Sequence, residues 1–167
     1  MASANSASVA TSLELENGLG FCALSFTLDV QQIIASVGHD GAGATAVFIG
    51  TTRNSFQDKV VTRLEYQAYS MLAIKTLAQI VRDVQASMFP QDSGAGSPTM
   101  RCAVHHRLGV VPVGEPSIVI AVSAPHRKEA FIACERLLEE VKGSVQIWKR
   151  EFYEGESDET AEWKANH

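Results

Sequence analysis

The chain has 167 residues, 46% of them hydrophobic and 20% charged, with a net charge of −5. That is enough for one compact domain with a real core and too short for two comfortable ones. The acidic balance does not suit nucleic acid, and no apolar run reaches the length of a membrane span.

The first residues, MASANSASVATSLELENG, are small and Ser/Ala-rich. They lack an apolar signal core and any Arg or Lys, and Glu14 and Glu16 argue against a transit peptide. Residues 1–19 are expected to be a disordered leader, 20–153 the folded domain and 154–167 an acidic, polar tail. A cytosolic location follows as the expectation. Cys22, Cys102 and Cys134 are far apart and odd in number, without C-x-x-C or zinc spacing. They read as half-buried thiols in a reducing compartment, and no metal or cofactor is expected.

Along the chain, 21–28 alternates and predicts a strand. Asp29 caps a short helix reaching Ser36, and Gly38 stops it. Residues 44–50, apolar on both sides, predict a buried strand, and 60–69 a strand by their β-branched and aromatic content. Ala73, Leu77, Ile80, Val81, Val84 and Met88 fall at helical spacing within 70–88. Residues 89–98, with two prolines and two glycines, predict a surface loop. Then come a strand at 99–109, a turn-rich connection at 110–116 and a buried strand at 117–124. A helix is expected from His126 to Lys142 with Gly143 as its stop, followed by a strand at 144–153. The order β-α-β-β-α-β-β-α-β gives an α+β, two-layer domain, with three helices covering a mostly antiparallel sheet.

Short basic groups stand out in this acidic chain: Arg101/His105/His106/Arg107, His126/Arg127/Lys128 and Lys149/Arg150. Such clusters suit a small anionic ligand better than a long polyanion, and solvated surface charge is the competing reading. Arg53 follows the strand-ending Gly50 by three residues, where a guanidinium can grip a phosphate with two hydrogen bonds; an ordinary loop arginine looks the same locally. His126 and Arg127 open a helix. That end attracts anions and disfavours cations, so the pair makes sense with an anion between them, or as a solvated first turn. Lys142 closes the helix, where a cation also suits the dipole. Lys149 shares a strand face with Val145, Ile147 and Glu151; it can serve as acid, base or nucleophile, or simply pair with Glu151 on the surface. Nothing local brings Lys142 and Lys149 together. His105 and His106 point to opposite faces of a strand and cannot readily share a metal, so one is expected packed and one exposed.

Together AVFIGTTRN (46–54), LEYQAY (64–69), HRLGVVPVGEPSIVIAVSAPHR (106–127), the helix ending in Lys142, IWKREFY (147–153) and WKAN (163–166) resemble the large, catalytic subunit of molybdopterin synthase. The resemblance covers most of 43–166 and is specific because the segments occur in order at matching spacings. It departs at Gly143–Gln146, where the family often carries proline, and at Ser123-Ala124-Pro125. It implies an α/β-hammerhead-like α+β fold and a sulfurtransferase of molybdenum cofactor biosynthesis. That enzyme converts cyclic pyranopterin monophosphate (precursor Z) to molybdopterin. Its sulfur comes from the C-terminal Gly-Gly thiocarboxylate of a small ubiquitin-like partner subunit, and two large subunits form the homodimer core of a heterotetramer. By the same resemblance Lys142 and Lys149 are the catalytic pair, Arg53, His126 and Arg127 bind the phosphorylated pterin, and Phe48 forms part of the wall. A non-enzymatic adaptor for a ubiquitin-like tail, or a sensor of a phosphorylated metabolite, is the alternative.

Overall fold

The computed structural model describes residues 8–89 and 99–166. Its elements are β1 (Thr11–Glu14), β2 (Gly20–Ser25), α1 (Val30–Ala35), β3 (Ala44–Thr51), β4 (Ser55–Phe56), β5 (Lys59–Ala68), α2 (Ser70–Met88), β6 (Arg101–Arg107), β7 (Gly109–Pro112), β8 (Pro116–Ala124), α3 (Arg127–Ser144), β9 (Ile147–Tyr153) and β10 (Lys164–Ala165). Three helices and mostly antiparallel strands give the α+β class read from the sequence. The sequence does not show that the strands divide into two sheets. One runs β1-β2-β6-β8-β3; the other runs β10-β9-β5-β4, with β7 also on β5. Among the described residues only β2 and β6 pair in parallel.

Alternation along the central strands sorts their side chains between two layers. Cys102 and Val104 of β6 and Ile118, Ile120 and Val122 of β8 meet the apolar stripes of α2 (Ala73, Leu77, Val81, Val84) and α3 (Ala130, Cys134, Leu137, Val141). Ala103, Val119 and Ala121 face the other way, against Ile33 of α1 and Val37. Asp29 caps α1 by accepting from the Gln32 backbone N–H at 3.1 Å, as its position in the sequence predicts. No helix among the described residues is long and apolar enough to cross a membrane.

Several expectations are corrected. Of the expected leader, residues 1–7 lie outside the described residues, but Thr11–Glu14 pairs antiparallel with β2 and Leu15 is buried. Most of the expected 89–98 loop also lies outside them. Residues 44–50 form an edge strand rather than a buried one, leaving Val47 and Ile49 exposed. The turn-rich connection holds β7, with Val111 buried beneath it. Gly143 does not stop α3; the helix runs through it to Ser144 and is closed by Val145 in extended conformation. The polar tail folds back through Lys164–Ala165, which pair with β9. His106 is buried as one of the two histidines was expected to be, but His105 is half-buried against Phe21 rather than exposed.

Candidate active site

Where the two sheets meet lies a cleft of about 390 Å³, lined by residues from β3, β4, β5, β8, α3, β9 and the tail. Phe48 and Gly50 come from β3, which leaves the first sheet here. Its register shifts at Gly50/Thr51, a bulge that swings the chain toward β4 and presents Arg53 to the cleft. Gly50 has a steric reason to be glycine: a Cβ there would stand 2.8 Å from Ile118 Cγ2 and 3.3 Å from the Phe48 ring.

Lys142 and Lys149 reach the same cleft by different routes. Lys142 ends α3, and only Val145 and Gln146 separate that helix from β9. Strand β9 pairs antiparallel with β5, placing Lys149 opposite Tyr66 and Glu151 opposite Leu64, all four lining the cleft. The tertiary bend that local geometry leaves open is this junction. Arg53 and Lys142 are solvent-exposed, whereas Lys149 is partly withdrawn from water.

Three cations and one carboxylate therefore face one another across an opening in an acidic protein. The carboxylate is held from both sides along its own strand face. Lys149 Nζ lies 3.8 Å from Glu151 Oε1, and the Tyr153 hydroxyl donates to Glu151 Oε2. Burial and the carboxylate it bonds push the Tyr153 phenol up to about 12. Glu151's side chain is only 9% exposed, so its charge is poorly screened and anchors the ammonium of Lys149. The pair is thus partly buried at the cleft wall rather than on open surface.

The inner wall is aromatic and neutral. Burial raises the Tyr66 phenol, and its ring meets His106 edge-on at 4.9 Å. Complete burial lowers the His106 imidazole to about 4. Asn166, from the returning tail, completes that side. Sequence reasoning assigned no site role to Tyr66 or Asn166, which lay in the LEYQAY and WKAN segments; His106 stood out only in a short basic group and as one of two adjacent histidines, of which one was expected to be packed.

The structure does not bring His126 and Arg127 to this cleft. Both are exposed at the opposite end of α3, and the rise from Arg127 to Lys142 is about 22 Å along the helix axis. His126 stands at the N-cap in extended conformation without a side-chain cap, so the helix start keeps backbone N–H groups open to an anion.

None of the cysteines lines the cleft. All three are free and buried, and burial pushes the Cys22 and Cys102 thiols up to about 12 and raises that of Cys134. Such thiols are poor nucleophiles. Among the described residues no three His, Cys, Asp or Glu side chains gather as metal ligands.

The MoaE protein family model matches residues 25–144. A "Molybdopterin synthase catalytic subunit 2" from Aedes aegypti is 44% identical over 139 residues, covering 83% of this chain and 84% of the relative. A "Molybdopterin synthase catalytic subunit" from Drosophila willistoni is 43% identical over 144 residues; the match takes in 86% of this chain but 36% of that longer relative. Among solved structures, molybdopterin synthase from Staphylococcus aureus superposes with a TM-score of 0.71 at 30% identity, covering 84% of this chain and 94% of that one. A complex of subunits 1 and 2 of molybdopterin-converting factor from Helicobacter pylori shares the fold, with a TM-score of 0.54 at 21% identity over 75% of each chain. With family model, relatives and fold in agreement, the chain belongs to the MoaE family, that of the molybdopterin synthase catalytic subunits.

Proposed function

We propose that this chain transfers sulfur to cyclic pyranopterin monophosphate, making molybdopterin, with the C-terminal thiocarboxylate of a small ubiquitin-like partner as donor. The observation that carries the reading is the convergence of Arg53, Lys142 and Lys149 on one cleft from three separate segments. A cyclic phosphate and a thiocarboxylate are both anions, and a site taking both needs several fixed cations. The buried thiols fit a sulfur atom that arrives on another protein.

In this reading Arg53 holds the phosphate and offsets charge as the cyclic ester opens. Phe48 walls the pterin. Lys142, in the last turn of α3, assists thiocarboxylate attack by proton transfer or by stabilising the tetrahedral adduct. Lys149, steadied by Glu151, orients the partner's terminal carbonyl. His126 and Arg127 lie outside their own subunit's cleft. In an assembly with two copies of this chain at its centre, they are available to the neighbouring copy.

Incubating the full chain with thiocarboxylated partner and cyclic pterin tests the reading. Lys142→Ala should lower product formation at least about 100-fold, the scale of losing an acid–base or charge-stabilising group, while the partner still binds. An adaptor or a metabolite sensor would release no molybdopterin even as the wild type, and near-normal turnover by the variant would remove the mechanism.

A further inference from the structure

The tail after β9 is held on the body at several points. Arg63 pairs with Asp158 at 2.8 Å, and Lys59 pairs with Glu156 at the same distance. The Arg150 guanidinium lies 4.7 Å from the centre of the Trp163 ring. Lys164 and Ala165 then pair with Lys149 and Trp148, and the Asn166 N–H donates to the Ile147 carbonyl at 3.2 Å. The result of all this anchoring is that Asn166 sits beside the start of β9, next to the junction that separates the two cleft lysines in the chain, and lines the cleft.

Its side chain is oriented by His106, a buried residue with 1% exposure. His106 Nδ1 lies 2.8 Å from the Arg107 carbonyl oxygen, which can only accept, so Nδ1 carries a proton. The imidazole is fully enclosed and neutral, so Nε2 is left as an acceptor. Asn166 Nδ2 lies 3.2 Å from it and must be the donor. The run of hydrogen bonds from backbone carbonyl to ring to amide leaves one orientation: NH₂ toward His106, Oδ1 away from it. Asn166 Oδ1 has no hydrogen-bond partner among the described residues. The cleft's one carboxylate is already engaged by Lys149 and Tyr153. Cations can grip a ligand's anionic groups but cannot read its N–H groups; an amide oxygen can.

We propose that Asn166 is a specificity-determining residue whose Oδ1 accepts a hydrogen bond from an N–H of the molecule bound in the cleft, and that His106 is the positioning residue that fixes the amide for it. The inference rests on the function proposed above for what occupies the cleft. Two bound species present such a donor there: the pterin, through its ring and amino N–H groups, and the partner's terminal peptide, through its backbone N–H.

The test uses the full chain with both substrates. Asn166→Ala should raise KM for one substrate about three- to tenfold, the weight of one neutral hydrogen bond, with kcat little changed and Tm lower by a few degrees because the buried His106 Nε2 loses its donor. The substrate whose KM moves owns the N–H. His106→Leu should show the same KM shift, because the amide is then free to turn. His106→Gln, which offers both a donor and an acceptor, should restore it. An Asn166→Ala enzyme with both KM values unchanged, or one losing only kcat, overturns the proposal whatever His106→Leu does to folding. Should the wild type form no molybdopterin, the function falls on its own. Calorimetric titration of wild type and Asn166→Ala with cyclic pterin and with a Gly-Gly-terminated peptide then decides the Asn166 question separately, equal affinities for both probes refuting it.

Discussion

Among single residues, Glu151 has the most to do for its size. It neutralises one cleft lysine, accepts from Tyr153 and is nearly shielded from water. Glu151→Gln keeps the shape and removes the charge. Stability should change modestly, by about 1 kcal/mol or less, since the tyrosine can still donate to the amide oxygen. Turnover should fall about tenfold, because Lys149 loses the anion that holds it. Denaturant melts beside steady-state rates check this, and unchanged turnover would mean that Lys149 is placed without Glu151. Residue type and strand alternation made this much legible in advance: Lys149 and Glu151 share a face by their spacing of two, and Arg53 follows a strand end. His126 and Arg127 were legible as a helix start, and so was their distance from Lys142, since a helix expected from His126 to Lys142 already sets its two ends about 22 Å apart. Which end faces the cleft was not, because that depends on how α3 docks on the sheets.

At the scale of elements, the long helices and central strands could be read because each carries a stripe or run of apolar residues that only one secondary structure buries. The elements that escaped are short, with at most one core side chain each, and owe their place largely to backbone pairing. β1 has four residues and pairs on one edge of β2; β7 hides among turn residues; β10 spans two residues. Register and tertiary docking decide such segments, and no periodicity records them. The β4–β5 hairpin shows the same point in its turn. Phe56 pairs with Lys59, and the two residues between them, Gln57 and Asp58, both have positive φ, at 48° and 63°. That is the geometry asparagine and glycine favour, and this chain uses neither. Replacing Gln57-Asp58 by Asn-Gly should stabilise the fold by about 0.5–1 kcal/mol, read as a higher urea midpoint at constant m. A lower midpoint would show that the wild-type side chains make compensating contacts.

The whole molecule is built around β6, which sends consecutive histidines into opposite layers. His106 enters the layer beneath the cleft, and His105 packs against Phe21 on the side of α1. Burial lowers both imidazoles from 6.5 to about 4. The unfolded chain therefore takes up protons near pH 6.5 that the folded chain refuses until about pH 4. The stability linked to these histidines is fully present above pH 6.5 and is lost as pH falls through that window, by up to roughly 1.4 kcal/mol per pH unit for each ring. Carboxylates such as Glu16, whose pKa is lowered by its own backbone hydrogen bond and by Arg82, add their own loss only further down. Between pH 6 and 4.5 the slope of stability against pH should thus belong mainly to β6. His105→Leu removes one of the two titrating rings without breaking a hydrogen bond, since its buried Nε2 has no partner and the residue stands outside the cleft. Thermal melts across this range should show the slope roughly halved and activity retained. An unaltered slope would assign the acid sensitivity to groups elsewhere in the protein.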